Sequence, residues 1–356
     1  MEETALKILV IGDIVVPCEL LVEAAHTIAG DREHTVEAVE WPCESRQEFQ
    51  HRSLNLEKNG PTAEKVPDEA YQEIADADIL LTHFCPVPAD LIAAGRKLTL
   101  IGTCRGGMEH VDVAAATERN IPVVHCIRNA ECTSDFAIGL MFAETRNIAR
   151  AHAAIKQGNW RKDYVNSGYT TSMCEMTLGV VGLGHIGKLV ARKGAGIGMK
   201  KVIAYDPFVS QESLDAAGLP VTLVSQEELF RTADIVSLHM RLTPETKNSI
   251  GREQLGWMKP TAYLINTSRA GVMDKDALVE ALRNKTIGGA ALDVFWDEPV
   301  PAGDPLLELD NLTMTPHTAG NVVDALPKSP LLLARVILDY WATGKSDMVV
   351  NLRNLK

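Results

Sequence analysis

Short runs that are apolar at nearly every position alternate along the chain with stretches in which apolar residues recur every three or four positions. The first series reads LKILVIG (6–12), CELLVEAAHTIA (18–29), HTVEAVEW (34–41), DILLTH (78–83), LTLIG (98–102) and IPVVHC (121–126). A continuous apolar run suits a strand covered on both faces, and a period of three to four suits a helix lying over it. Their alternation predicts a parallel sheet with helices on its faces. A second series follows: TLGVVG (177–182), KVIAYD (201–206), DIVSLHM (234–240), TAYLIN (261–266), GGAALDV (288–294) and LTMTP (312–316). Ser225 and Glu228 in SQEE form a capping-box pattern that marks one helix start.

Three stretches stand outside this alternation. The polar segment 42–69 has no sustained period and predicts an irregular surface excursion. Residues 129–157 carry no proline and predict one long helix, longer than a usual crossover and suited to a spine between domains. A last helical pattern covers about 331–342, with a short apolar VVNL after it.

With 356 residues, 46% of them hydrophobic, the chain has apolar surface for two cores rather than one, so two domains are expected. A formal charge of −12 with no clustered Lys or Arg disfavours nucleic acid and anionic lipid as partners. The acidic start MEETALKILVIGD lacks the positive region of a signal peptide, and no apolar run reaches the roughly 20 residues of a membrane span. The seven cysteines are scattered, with no CxxC pair, which fits reduced thiols and a cytoplasmic location.

Between the strand TLGVV and the helical pattern HIGKLVARKGAG lies GLGHIG, residues 182–187. Glycine triplets at this spacing are common by chance, but strand, turn and helix in this order, with a second strand ending in Asp206 about 20 residues on, predict a dinucleotide site. Gly182 permits the tight turn, Gly184 lets the backbone approach a pyrophosphate, and Gly187 lets helix and strand close up. His185 and Ile186 lie inside the fingerprint beside the phosphates, with no chemical role for His185. Asp206 would accept from the ribose hydroxyls and repel a 2′-phosphate, so NAD is expected rather than NADP.

Hydride transfer to a carbonyl needs a proton donor at the oxygen, a cation for an adjacent carboxylate, and a group that keeps the donor charged. LINTSRAG places Arg269 after one strand, LDVFWDEP places Glu298 after another, and TMTPHTAG places His317 after a third. Loops at the carboxyl edge of one doubly wound sheet converge, so these three are the candidate catalytic residues. A carboxylate beside imidazole favours its charged form. No metal-ligand pattern appears, and Arg269 can serve as the electrophile.

The pieces VVGLGHIG, AYDP, SLHMRLTPET, LINTSRAGVMD, ALDVFWDEP and TPHTAG occur in this order over nearly the whole chain. Together they resemble the D-isomer-specific 2-hydroxyacid dehydrogenases, the family of phosphoglycerate, glycerate and D-lactate dehydrogenases. The resemblance implies two doubly wound α/β domains, Rossmann-like and flavodoxin-like. The cofactor domain, 127–320, would be inserted into a substrate domain made of 1–126 and 321–356, which explains a fingerprint in mid-chain. It implies that Arg269 binds the substrate carboxylate, that His317 is the acid/base, and that Glu298 orients and charges it. Asp293 would contact the nicotinamide carboxamide, and His239, Met240, Thr246, Thr267, Ser268 and Gly320 would line the cofactor cleft. The implied substrate is a 2-oxo or 2-hydroxy acid, and the segment around Trp160 and Arg161 resembles the part that crosses onto a partner in family homodimers.

The chain departs from the family in IGTCRGGMEHVD (101–112), the loop whose backbone amides grip the substrate carboxylate. Arg105 stands where glycine is common, beside Gly106 and Gly107. It is a candidate for holding a second anionic group on the substrate, and Arg241 for adding to it. Two other readings remain. A formate dehydrogenase would lack the glutamate partner of the histidine and carry Gln in place of Pro316. An NAD-sensing, corepressor-like regulatory protein would keep the fold, and retention of Arg269, Glu298 and His317 does not distinguish it.

Overall fold

The computed structural model describes residues 5–355, which form two compact units. Unit 1 comprises residues up to Arg128 and from Val322 onward, and unit 2 runs from Asn129 to Asn321. Unit 2 is therefore inserted in the sequence of unit 1. Among the described residues no helix is long and apolar enough to cross a membrane.

Unit 1 is built on a five-stranded sheet of β1 (Leu6–Gly12), β2 (His34–Glu40), β3 (Ile79–Thr82), β4 (Leu100–Thr103) and β5 (Val123–His125), in the order β2-β1-β3-β4-β5. All four pairings are parallel. Successive residues of a strand face opposite sides, and β1 buries both. Ile8 and Val10 pack into one core with Leu21, Leu333 and Ile337, while Leu9 and Ile11 pack into the other with Trp41, Phe49 and Leu56. The helix Cys18–Ala29 buries Cys18, Leu21, Ala24, Ala25 and Ile28, the stripe its period predicts. Gly102 in β4 is a close approach: a Cβ there would lie 2.8 Å from Leu81 and 3.2 Å from Leu333.

The segment 42–69 is not an irregular excursion. Arg46–Asn59 is a helix, started by Ser45, whose Oγ accepts the N–H of Glu48 at 3.1 Å. Its apolar content was too thin to show a period, because only Phe49, Ser53 and Leu56 are buried. The C-terminal helix also begins earlier than the expected 331, at Ala325, and continues to Thr343 through Pro330. Proline cannot donate to the carbonyl four residues back, and here Ser329 Oγ takes that role, donating to Leu326 O at 2.7 Å. After this helix the chain adds a short antiparallel bridge to β5, with His125 N donating to Met348 O and Val350 N to Val123 O, both at 2.9 Å.

Unit 2 carries seven parallel strands: β6 (Thr177–Val181), β7 (Lys201–Tyr205), β8 (Thr222–Leu223), β9 (Ile235–Leu238), β10 (Tyr263–Asn266), β11 (Gly289–Leu292) and β12 (Leu312–Met314). Their order is β12-β11-β10-β9-β6-β7-β8, which reverses between β6 and β9. Both faces are again covered. Leu264 of β10 joins one core, and Tyr263 and Ile265 join the other. Ser225 caps the helix Gln226–Thr232 as expected, accepting Glu228 N–H at 3.1 Å.

The single long helix expected over 129–157 is two, Ala130–Thr145 and Ile148–Lys156. Asn147 sits between them at φ 56, a left-handed conformation asparagine tolerates better than most residues. The break is held from outside: Asn166 Nδ2 donates to Thr145 O at 2.9 Å, and Asn147 Nδ2 donates to Asn166 Oδ1 at 2.6 Å. Glu144, buried just before the break, accepts from Arg150 just after it at 2.8 Å and from Thr313 Oγ1 at 2.6 Å. These partners are distant in sequence, so helical propensity alone could not reveal the interruption.

Candidate active site

The glycine-rich turn lies where the strand order of unit 2 reverses. Gly182 follows β6 with φ +91, and a Cβ on it would stand 2.9 Å from the backbone of His239, which follows β9. Gly187 is tighter still, since its Cβ would stand 1.9 Å from Gly182 O. Around Gly184 there is nothing within 4 Å, so the backbone is open on that side. The helix His185–Gly196 begins here with no side-chain cap. An uncapped helix start behind an open glycine is a fit for a pyrophosphate. Asp206 closes the other end: its Oδ2 accepts Leu183 N–H at 2.7 Å and its Oδ1 accepts Phe208 N–H at 2.8 Å. His239 is enclosed at its ring, where burial pushes the imidazole down to about 4. Its Nε2 lies 2.8 Å from Ser237 Oγ.

Arg269, Glu298 and His317 stand in the loops that follow β10, β11 and β12, three strands adjacent in the sheet. Asn266 shapes the first loop. Its Oδ1 accepts Ser268 N–H at 2.9 Å and the Ser268 hydroxyl at 2.7 Å, while its Nδ2 donates to Arg269 O at 3.0 Å. The Arg269 side chain is exposed, and its Nη1 donates to Ser268 O at 2.7 Å. The sequence reading missed Asn266; a polar amide closing the buried run YLIN was the available signal.

Glu298 Oε2 accepts from His317 Nδ1 at 2.8 Å, and its Oε1 accepts Phe295 N–H at 2.9 Å. Partial burial pushes the Glu298 carboxyl up, but the His317 hydrogen bond, the Phe295 N–H and the charges of His317 and Arg269 outweigh it and hold the group below its ordinary value. A carboxylate can only accept, so Nδ1 carries the hydrogen and Nε2 is left for chemistry. A cavity of about 470 Å³ opens beside the pair, lined by Phe295, Pro299, Val300, Leu307 and Met314.

His317 itself is at φ 52. Such backbone persists only where the surroundings over-determine it, and Asp293 does so. This fully buried carboxylate accepts from Thr315 Oγ1 at 2.6 Å, Thr318 N at 3.0 Å and Ala319 N at 2.8 Å, bracketing His317 on both sides. Both oxygens accept from the loop, so Asp293 positions the loop that carries His317. Of the other expected residues, Thr267 presents a buried Oγ1 with no protein partner. The Thr246 hydroxyl donates to Arg241 O at 2.6 Å, and Met240 packs against the core. Gly320 leaves only 3.3 Å between a would-be Cβ and Asn129 Nδ2.

Arg105, Gly106 and Gly107 belong to unit 1, in the loop after β4. The Arg105 guanidinium is buried and already paired, with Glu57 Oε1 at 2.9 Å and Glu109 Oε2 at 3.4 Å. A Cβ on Gly107 would lie 2.4 Å from Glu109 Oε2, so the glycine makes room for this pairing.

Strand order, glycine-rich turn and three strand-end side chains define unit 2 as a doubly wound dinucleotide-binding domain. Residues 138–319 match the family model described as D-isomer specific 2-hydroxyacid dehydrogenase, NAD binding domain. The chain is 38% identical to the D-3-phosphoglycerate dehydrogenase of Methanocaldococcus jannaschii over 291 residues, 81% of this chain and 54% of that protein. It is 38% identical to the glyoxylate reductase of Korarchaeum cryptofilum over 276 residues, 76% of this chain and 81% of that one. The solved D-isomer specific 2-hydroxyacid dehydrogenase of Lactobacillus delbrueckii ssp. bulgaricus, in its NAD-complexed form, shares the fold with a TM-score of 0.69 at 21% identity, covering 97% of this chain and 100% of that one. The chain belongs to the D-isomer specific 2-hydroxyacid dehydrogenase family. It spans about half the length of that phosphoglycerate dehydrogenase and of the one from Synechocystis sp., 54% and 49% of them.

Proposed function

We propose that the chain is an NAD-dependent dehydrogenase that interconverts D-2-hydroxy acids and 2-oxo acids. The observation that carries this is the 2.8 Å contact of Glu298 with His317 at the strand ends of a dinucleotide-binding unit. The nicotinamide, when bound, supplies or accepts the hydride. Arg269 binds the substrate carboxylate through its fork of donors and draws charge from the neighbouring carbonyl. His317 Nε2 gives the proton to the carbonyl oxygen in reduction and takes it back in oxidation. Glu298 holds Nδ1–H and stabilises the imidazolium. Asn266 and Asp293 are positioning residues, one for the Arg269 loop and one for the His317 loop. Gly182, Gly184, His185, Ile186 and Gly187 form the pyrophosphate cradle, and Asp206 selects NAD over NADP by meeting the ribose hydroxyls.

The same reading makes the protein a homodimer. The helix Ile148–Lys156 buries none of its residues, and Ile148, Ile155 and Trp160 are 55%, 56% and 76% exposed, an apolar stripe suited to a second copy. Seven free cysteines support a reducing, cytoplasmic setting.

The test is NADH oxidation against a panel of 2-oxo acids. Turnover of at least one is expected, with His317→Ala lowering kcat by about 10²–10⁴ while NADH still binds. NADH binding without turnover of any member would overturn the enzyme reading in favour of a regulatory NAD-binding protein.

A further inference from the structure

Glu298 lies in the connection between β11 and β12, which contains a short 3₁₀ turn, Pro305–Glu308. Residues 297–299 and 301–303 of this connection are exposed, so packing alone does not fix the stretch that carries the carboxylate. The Phe295 N–H that Glu298 accepts orients the side chain only relative to its own loop. Something outside the stretch has to set where that loop stands.

Two contacts tie down its ends, and both land on one turn. On the near side Trp296 Nε1 donates to Met273 O at 3.2 Å, and on the far side Asp304 Oδ2 accepts from Lys275 Nζ at 2.6 Å. Met273 and Lys275 are two positions apart, at the start of the helix Lys275–Arg283. Their turn is itself well held. Ile250 N donates to Val272 O and Asp274 N to Ile250 O, both at 3.0 Å, and Asp274 Oδ1 caps the helix by accepting Ala277 N–H at 2.9 Å. The turn also continues the loop of Arg269 directly, through the 3₁₀ turn Ala270–Val272.

The Lys275–Asp304 pair differs from an ordinary surface ion pair. Its side chains are 26% and 3% exposed, whereas those of Arg283 and Glu308 nearby are 50% and 75% exposed and hold little. Asp304 Oδ1 also accepts Leu306 N–H at 3.0 Å, and Leu306 is part of the core. A carboxylate buried this far is costly without its cation, so the pair stays closed. Well-packed apolar side chains would give as much stability. What the ion pair adds is a fixed register between two loops. Pro299, Val300 and Leu307, which wall the cavity beside Glu298 and His317, belong to the segment it holds.

We propose that Lys275 and Asp304 are positioning residues of the reaction: their ion pair latches the Glu298 stretch to the turn that follows Arg269, so that Glu298 is held where it meets His317 Nδ1. The latch rests on the reading of the chain as a 2-oxo acid reductase.

The experiment uses the full chain, NADH and whichever 2-oxo acid it reduces fastest. Lys275→Met keeps the helix and the length of the side chain but removes the charge. It should lower kcat by about tenfold or more, because small displacements of catalytic groups are costly, while NADH binds as to wild type. Lys275→Arg should recover most of the rate. A double-mutant cycle separates positioning from mere structure: added to Glu298→Gln, Lys275→Met should lower kcat by less than about twofold, since a residue acting through Glu298 has nothing left to position. Wild-type kcat in Lys275→Met, or the same loss in both backgrounds, would overturn the proposal. Should Lys275→Met fail to fold, Asp304→Asn takes its place in the cycle, because it keeps an acceptor for Leu306 N–H and removes the charge. A further measurement needs no turnover: the His317 Nδ1 nitrogen resonance should move in Lys275→Met towards its position in Glu298→Gln, and an unmoved resonance would sink the latch. If no 2-oxo acid consumes NADH, the reductase reading falls, and the resonance alone decides whether Lys275 holds Glu298 in place.

Discussion

Glu298 Oε2 accepts from His317 Nδ1 at 2.8 Å although the two side chains are 38% and 48% exposed. A pair this open contributes little to stability, so its value lies in the tautomer and orientation of the imidazole. Glu298→Gln keeps the size and one hydrogen bond but removes the charge. Reduction of 2-oxo acids should slow by about 10- to 100-fold, because the amide no longer fixes the ring and tautomer of His317 as the carboxylate does. The thermal midpoint should hardly change. A Glu298→Gln variant with wild-type kcat would contradict this role.

Gly184 separates cofactor binding from folding. Nothing lies within 4 Å of a would-be Cβ, and its φ of −67 suits alanine. Gly184→Ala should therefore fold with wild-type stability while losing about tenfold or more in NADH affinity, because the methyl group occupies the path of the pyrophosphate. Fluorescence titration with NADH beside thermal unfolding checks both halves. Gly187→Ala, with 1.9 Å to Gly182 O, should instead fail in both.

Asp293 is fully buried and ties three donors of the His317 loop. Asp293→Ala strands the buried Ala319 N–H and the half-buried Thr318 N–H and should lower the unfolding free energy by about 2–4 kcal/mol, with activity lost because the left-handed backbone at His317 is no longer held. Asp293→Asn should cost less, since one oxygen still accepts. Urea unfolding gives the first quantity. An alanine variant of wild-type stability would show that the clamp does not hold the loop.

Acid should destabilise the fold through its buried histidines. Burial pushes His239 from 6.5 down to about 4, and lowers His83 and His110 as well. Below about 6.5 the unfolded chain takes up protons that the folded chain refuses, so stability falls as pH drops from 6.5 towards 4, and is intact above that window. His239 alone should account for roughly 3 kcal/mol of the loss. Unfolding free energy measured against pH should show this decline, and a shallower one in His239→Gln. An identical slope in the variant would exclude the residue as the source.

Much of the fold was legible because its signals are local. The run LKILVIG became β1 with no shift in boundary, and CELLVEAAHTIA became the helix Cys18–Ala29. The helix at 46–59 shows the limit. Its Ser45 start was readable, but three buried positions in fourteen residues carry too weak a period. Asn147 shows another limit, since the partner that fixes the break, Asn166, lies 19 positions away.

Residue order by itself determined the two α/β series, the glycine-rich turn, and the candidates Arg269, Glu298 and His317, because periodicity, turn chemistry and strand-end position are properties of short stretches. Tertiary structure alone decided that Asp293 is committed to the His317 loop, that Arg105 is already neutralised, and that Asp13 fixes the tautomer of His83, 70 positions distant. Hydrogen bonding and burial depend on which strand ends become neighbours, and strand order is set by the packing of both cores, which no local pattern encodes.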